Sequence, residues 1–362
     1  MTPNDATPPD RAPGAVDPAH PTRLSVVQVV RSDAFAGVER YVCQVANGLA
    51  ARGHHLEVIG GDPQRMRAEL DGAVAFIPAV TVLQAARALA GRHHTDIVHA
   101  HMTAAEAAAW LARPFQRAPV VATRHFPGPR GSGGLARSLT RITTRAVARD
   151  IAISRFVAEG VGGPTVLLYS AVADRPQAGL EAPTVVMLQR LTEEKRTEVG
   201  VRAWAASGLA AAGWRMVVAG SGDRLDSLTA LAGELGVADS IEFAGQITDT
   251  DGMLARSSIF LATTPVEAFG FSVVEAMAHG LPVVAARGGA HPETVGDQGV
   301  LFDPGDASAA AAGLALLAGD PALRRRMGGD LRQRQRRLFS MGAHLDGLER
   351  IYREVIDGRA HG

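Results

Sequence analysis

The sequence predicts an α/β protein of two successive doubly wound parallel-sheet domains that face a central cleft. Three observations predict it. Short apolar runs alternate with helix-like segments, the pattern of strands covered on both faces by crossover helices. That alternation pauses at 174–183, a stretch holding Pro176, Gly179 and Pro183, and then restarts. At 362 residues the chain also exceeds what one core comfortably supports. The expected organisation is an N-terminal domain over 23–173, a linker over 174–183 and a C-terminal domain over 184–342. A final amphipathic helix, about 343–358, is expected to pack back onto the first domain.

Leu24–Val30 is nearly all apolar and reads as the first strand; a loop leads from it to a helix over 38–51 that Gly53 ends. Strands follow over 56–59, 73–77, 97–100 and 120–123, with helices over 82–90 and 104–112. Gly and Pro punctuate 126–134 before a further helix, and short strands are expected over 151–154 and 166–168. In the second domain 184–188, 215–219, 241–243, 259–263 and 282–285 read as strands separated by helices. Such sheets bind ligands at the carboxyl ends of their strands.

Composition excludes several functions. Lys+Arg and Asp+Glu both total 37, so no net basic field recruits nucleic acid or an anionic membrane. Cys43 is the only cysteine; it cannot form an internal disulfide, fits a reducing cytoplasm, and beside Val42 and Val45 reads as a buried structural thiol. No apolar run is long enough to span a bilayer. Residues 1–22, rich in Pro, Asp and Ala without an apolar core, read as a disordered tail and not as an export signal, so a cytoplasmic protein is expected. Lys195 is the only lysine among the 37 Lys+Arg. On a solvated surface the two residue types are nearly equivalent; at a site a compact point charge and a planar fork are not. A lone lysine is either a chance survivor or a residue no guanidinium can replace.

The most informative stretch is 259–285. A strand ends at Pro265, Glu267-Ala268-Phe269-Gly270-Phe271 forms the turn, and a helix over about 272–279 is stopped by Gly280. Gly270 and Phe271 stand at the helix start, where free amides and the dipole favour a phosphate. Carboxylates beside such a site should meet hydroxyls: Glu275 could accept from a ribose diol and Glu267 from sugar hydroxyls, although two glutamates alone would more often be surface or capping groups. Arg190-Leu191-Thr192-Glu193-Glu194-Lys195 follows the strand 184–188, and its two cations suit a diphosphate leaving group. A solvated, internally balanced loop is the competing reading. Gly220-Ser221-Gly222 permits close backbone approach but is a weak signal by itself. Asp249-Thr250-Asp251 looks like a metal motif and reads as a polar turn.

In this order, Arg190 to Lys195, Gly220-Ser221-Gly222, Phe243-Ala244-Gly245, Glu267 to Glu275 and Gly288-Gly289 with Pro292-Glu293 resemble glycosyltransferase family 4, retaining enzymes of the GT-B fold. The resemblance runs from about Leu24 to Val355 and is strongest over 185–327; the glutamates of EAFGFSVVE are its most specific feature. It implies that Arg190 and Lys195 hold a donor diphosphate and Glu275 the ribose. Glu267 and the amides of Gly270 and Phe271, beside Phe269, would hold the sugar, and Ile247 would lie where the backbone meets the base. Ala36-Gly37-Val38-Glu39 resembles the family's Gly-Gly-x-Glu loop with Ala36 in place of the first glycine, which sets Gly37 near the donor phosphates beside the Gly220 and Gly222 turn. His125, after Thr123-Arg124, falls where the family places a sugar-contacting histidine, while His101 and Arg124 are assigned to the acceptor side and His99 to the core. Gln189, Arg196 and Tyr169-Ser170 depart from the family pattern, which has glycine at the first two positions and Pro-Asn at the third.

By this resemblance the reaction is a front-face substitution in which protein cations serve, with no metal and no bound cofactor, and the donor is a nucleotide-diphosphate sugar, UDP by family frequency. The acceptor, a glycan, a lipid, a cyclitol or a secondary metabolite, has no readable code. Arg137, Arg141, Arg145 and Arg149 recur every four residues and predict a basic amphipathic helix: a solvated face, a weak membrane contact, or a steering patch for a phosphorylated acceptor. Arg324–Arg326 and Arg332–Arg337 read as a solvated helix face. Two other functions stay open. A sugar-nucleotide epimerase shares the fold but lacks the glutamate pair, and a phosphorylase would need a second lysine. A non-catalytic binding partner would keep the same site without turnover.

Overall fold

The computed structural model describes residues 23–31, 37–128 and 143–360. The first domain runs β1 (Ser25–Val30), α1 (Gly37–Ala51), β2 (His55–Ile59), α2 (Pro63–Glu69), β3 (Ala75–Ile77), α3 (Val82–Ala90), β4 (Ile97–His101), α4 (Thr103–Ala112), β5 (Val120–Arg124), β6 (Val147–Ala152), α5 (Arg155–Val161) and β7 (Val166–Leu167). The second runs β8 (Thr184–Leu188), α6 (Thr197–Ser207), β9 (Arg215–Ala219), α7 (Leu225–Glu234), β10 (Ile241–Gly245), α8 (Thr250–Ala255), β11 (Ile259–Ala262), α9 (Phe271–Ala278), β12 (Val283–Ala286), α10 (His291–Val295), β13 (Val300–Phe302), α11 (Ala307–Gly319) and α12 (Pro321–Leu338), after which α13 (Met341–Ala360) returns to the first domain. All ladders between these strands are parallel, in the orders β3-β2-β1-β4-β5-β6-β7 and β10-β9-β8-β11-β12-β13. Both orders reverse direction beside their first strand, and that reversal opens a crevice at the strands' carboxyl ends.

Local chemistry explains the elements that periodicity alone misses. α2 is only seven residues, but the Asp62 carboxylate accepts the Arg65 N–H at 2.8 Å and Pro63 occupies the first turn. The Asp249 carboxylate likewise caps α8 by accepting the Gly252 N–H at 2.7 Å, so Asp249-Thr250-Asp251 is a helix start rather than a turn. The expected basic helix through Arg137–Arg149 needs correction at its end. Arg145 lies in a 3-10 turn and Arg149 in β6, where strand pairing with β5 fixes the backbone. Arg137 and Arg141, the tail 1–22 and Ala36 fall outside the described residues. No helix of the described residues is long and apolar enough to cross a membrane.

The last helix belongs to the first domain's core. Leu345, Leu348, Ile351, Tyr352 and Val355 are buried with Val26, Val30, Val42 and Leu49 of β1 and α1. Arg52 reinforces this from α1's end, bonding Asp346 at 2.7 Å and Glu349 at 3.0 Å. Cys43 is buried in the same layer, its Sγ 3.6 Å from the Met66 sulfur. The 174–183 connection is tied to the second domain: Ala178 and Leu180 are buried in its core and the Ala178 N–H donates to the His279 carbonyl at 2.8 Å. Leu348→Ala, at a fully buried position, should cost the first domain about 2–5 kcal/mol. Hydrogen exchange checks this: amides of β1 and β4 should exchange faster in the variant while those of β8 and β11 keep their rates.

Candidate functional site

A cavity of about 430 Å³ lies between α1 of the first domain and the β8, β9 and β11 ends of the second. Gly37, Arg40, Tyr41 and Gln44 supply its α1 side. Gln189, Arg190, Lys195, Gly220, Glu267 and Glu275 supply much of the facing wall. Of the site residues expected from the sequence, Gly37, Arg190, Lys195, Gly220, Glu267, Phe271 and Glu275 thus share one cavity, although they come from four separate segments.

The loop after β8 is built to deliver Lys195. A 3-10 turn over Glu193–Lys195 carries it, and Arg196 leaves that turn in the left-handed region at φ 52°. That conformation favours glycine, which is the residue the family resemblance expects at this position. Gln189, the other departure from glycine, has an evident use: its Nε2 donates to the Lys195 carbonyl at 3.2 Å, the Thr197 hydroxyl at 2.8 Å and the Thr263 hydroxyl at 3.1 Å. The Thr263 hydroxyl in turn donates to the Lys195 carbonyl at 2.8 Å. Held so, Lys195 Nζ lies 2.8 Å from Glu267 Oε2, with both side chains mostly buried. Arg190 instead projects freely, 69% exposed, and meets Glu194 at 3.0 Å. The glycine turn after β9 supports the same loop: a Cβ on Gly220 would lie 1.8 Å from the Gln189 carbonyl oxygen, and one on Gly222 would lie 2.2 Å from that of Leu191. Gly220 borders the cavity and Gly222 does not, so Gly222 serves loop packing.

The turn after β11 delivers Glu267 and opens α9. Gly270 takes φ 86° just before the helix, leaving Phe271 and Ser272 at its start facing the cavity. Glu275 stands one turn further on the same face. Burial pushes its carboxyl up to about 7; Arg40 across the cleft opposes the shift and Asp251 adds to it. Behind these residues the two domains are fastened together. The Ser154 hydroxyl donates to the Ala268 carbonyl at 2.6 Å, and the Glu293 carboxylate accepts the first amides of α5, from Arg155 at 2.9 Å and Phe156 at 3.1 Å.

Other expected site residues are placed elsewhere. Phe269 is core, with ring contacts to Phe271 at 5.1 Å and Phe339 at 5.6 Å, because the turn must bury one side chain to hold its shape. Ile247 borders a side cavity with Val217 and Met253, while its neighbour Gln246 reaches the main one. His101 is buried rather than turned to the acceptor side, since it extends β4 under Tyr41 on the same face as His99. His101 Nδ1 lies 3.2 Å from His125 Nε2, and both rings are buried beneath Tyr41 without reaching the cavity wall. Burial holds His125 down to about 3 and His101 well below its usual value, so both are neutral. Arg124 is also buried, donating to the Gly128 carbonyl at 3.1 Å. His99 is core as expected, bonded to Tyr352 at 2.6 Å and Thr123 at 2.7 Å. Arg40, Tyr41, Gln44, Arg175 and His291 border the cavity without having been singled out in the sequence. For Arg40, Tyr41 and Gln44 the helical spacing after Gly37 was the available signal.

Glu275 makes stability depend on pH. Its folded carboxyl titrates near 7 against an ordinary 4.5, so the neutral form's contribution is complete below 4.5 and is lost as pH rises through 7. Glu275→Gln removes that titration. Relative to wild type it should gain on the order of 2–3 kcal/mol between pH 5 and pH 8. Denaturation midpoints at the two pH values check this, and a difference that does not change with pH contradicts it.

Comparisons with known proteins agree with this construction. A model described as Glycosyltransferase Family 4 matches residues 35–162, and one described as Glycosyl transferases group 1 matches residues 173–334. The chain is 29% identical over 306 residues to D-inositol 3-phosphate glycosyltransferase of Saccharomonospora viridis, covering 72% of this chain and 70% of that one. It is 36% identical over 125 residues to a GDP-mannose-dependent alpha-(1-6)-phosphatidylinositol monomannoside mannosyltransferase of Mycobacterium tuberculosis, covering 32% of each. The crystal structure of Anabaena HepE in complex with UDP and glucose superposes with a TM-score of 0.78 at 18% identity, covering 91% of this chain and 99% of that one. The chain spans between a fifth and about half of the length of the first curated relatives it matches. With one model on each domain, and the two-sheet architecture shared with solved structures of the GT-B fold, the chain belongs to glycosyltransferase family 4.

Proposed function

We propose that this protein is a retaining glycosyltransferase that moves a hexosyl-type sugar from a nucleotide-diphosphate donor to a hydroxyl of an acceptor. The observation that carries the proposal is the convergence on one cavity of Arg190, Lys195, Glu267, Glu275 and the start of α9. Each group fits a different part of such a donor. Arg190 and Lys195 would meet the diphosphate, whose negative charge grows as its bond to the anomeric carbon breaks. Glu275, which faces Arg40 and has no ion pair among the described residues, would accept from the ribose diol, and Glu267 from the sugar. The acceptor hydroxyl would attack on the face the diphosphate leaves, and its proton would pass to the departing phosphate oxygen. The leaving group carries away the electron pair of the broken bond, and the protein's own cations stabilise it.

Gly37 contributes space. Among the described residues a Cβ there would touch nothing within 4 Å, which leaves room for a phosphate against the start of α1. The donor base is proposed as uracil, in keeping with the UDP that HepE binds; the GDP-mannose dependence of the mannosyltransferase relative makes guanine the comparison to run. The acceptor is proposed to enter from the first-domain side, where an inositol phosphate, a lipid-linked glycan or another hydroxyl compound would stand.

Thermal denaturation with UDP, GDP, dTDP and ADP tests the donor site. One nucleotide at about 100 times its dissociation constant should stabilise the wild type by roughly 2.7 kcal/mol. Lys195→Ala should lose much of that gain, measured against the variant's own melting temperature without ligand. Stabilisation by none of the four would contradict the assignment. Release of free nucleoside diphosphate on adding an acceptor then separates a transferase from a binding partner that keeps the same site.

A further inference from the structure

His291, the first residue of α10, borders the cavity between two groups already assigned to it. It is 1% exposed, so its orientation is set by packing. Nδ1 donates to the Ala286 carbonyl at 2.9 Å, which fixes the tautomer and leaves the lone pair on Nε2. Among the described residues nothing bonds to Nε2. Its lone pair is therefore open to a molecule in the cavity that the ring borders.

Three groups meet around one point. A Cβ built on Gly270 would lie 3.2 Å from the Cδ2 and 3.4 Å from the Nε2 of His291, and 3.5 Å from Cγ of Glu267. The chain before His291 is moulded to Glu267: the Ala290 N–H donates to the Glu267 carbonyl at 2.7 Å, and a Cβ on Gly289 would lie 2.3 Å from the Glu267 nitrogen. Burial holds the imidazole below its usual range, with Lys195 acting in the same direction and Glu267 against it, so the ring is a neutral acceptor. Two acceptors side by side, a carboxylate and an imidazole nitrogen, call for two donors. Neighbouring hydroxyls on a sugar ring provide them; a carboxylate or an amide carbonyl does not.

We propose that His291 Nε2 accepts a hydrogen bond from a hydroxyl of the donor sugar beside the one held by Glu267, and so takes part in selecting the sugar. This rests on the nucleotide-sugar reading above. The bond to Ala286 alone does not require histidine, because an asparagine amide reaches the same carbonyl. The Nε2 position is what asparagine lacks and what the side-chain oxygen of glutamine can reach.

The test is calorimetric binding of UDP, UDP-glucose, GDP and GDP-mannose to wild type, His291→Asn and His291→Gln. The quantity read is the ratio of the nucleotide-sugar's dissociation constant to that of its own nucleoside diphosphate. The ratio should rise about tenfold in His291→Asn, the loss of one hydrogen bond, and return close to the wild-type value in His291→Gln. The nucleoside diphosphates themselves should bind all three proteins within about twofold. An unchanged ratio in His291→Asn overturns the proposal, and so does an equal loss of nucleotide and nucleotide-sugar in both variants, which would make the ring purely structural. Failure of the wild type to bind any of the four overturns the donor-site reading itself, a result distinct from either of those.

Discussion

The contact between Lys195 and Glu267 is the constraint on which the rest of the site depends. A cation and a carboxylate 2.8 Å apart, both mostly withdrawn from solvent, do little for net stability, because lost hydration offsets most of their attraction. What such a pair does is fix position. Two loops at the reversal point of the second sheet must hold their course for it to form. Gln189 and Thr263 both bond the Lys195 carbonyl, and Gly220 lets the neighbouring loop lie directly against that of Gln189. A diphosphate reaching Lys195 would meet a charge already oriented, with Glu267 turned toward the sugar that follows.

The first domain supplies the opposite wall, and its placement is a tertiary matter. α13 crosses back from the end of the second domain to complete the core under α1, the helix that carries Gly37, Arg40 and Tyr41 to the cavity. On the other side, Glu293 caps the start of α5 and Ser154 holds the Ala268 carbonyl, so the turn bearing Glu267 is itself fastened to the first domain. The same short stretch, from Ala286 to Glu293, thus lies against Glu267 at the cavity and joins the domains.

Most of the architecture was legible because buried parallel strands advertise themselves. β8, β9, β11 and β12 are apolar runs ending in loops with glycine or charge, and the helix start at Gly270 followed from the turn before it. α2 and β13 were missed: one rests on a capping aspartate and a proline over seven residues, the other is three residues long. In the site, residues fixed by loop chemistry were readable and those fixed by packing were not. Phe269 looks like a ligand contact until Phe339, seventy positions away, covers it. His101 and His125 stand at strand ends, where ligands are expected, yet Tyr41 and α13 bury them in a layer of histidines and tyrosines that no local pattern announces. His291 was hidden in the opposite way, as one residue between two recognised pairs whose importance comes only from the turn that brings it to Glu267.

The composition offers an unusually direct test of the central claim. Lys195 is the only lysine in the chain, so protein labelled with carbon-13 on the lysine Cε gives a single side-chain signal that needs no assignment. Its chemical shift should be displaced from that of free lysine in the wild type and should move toward it in Glu267→Gln. Titrating UDP or GDP should shift the wild-type signal in proportion to the fraction of nucleotide bound, as the ammonium divides its bonds between Glu267 and the diphosphate. A signal at the free-lysine position, or one that stays still while a nucleotide binds, would contradict a site organised around Lys195.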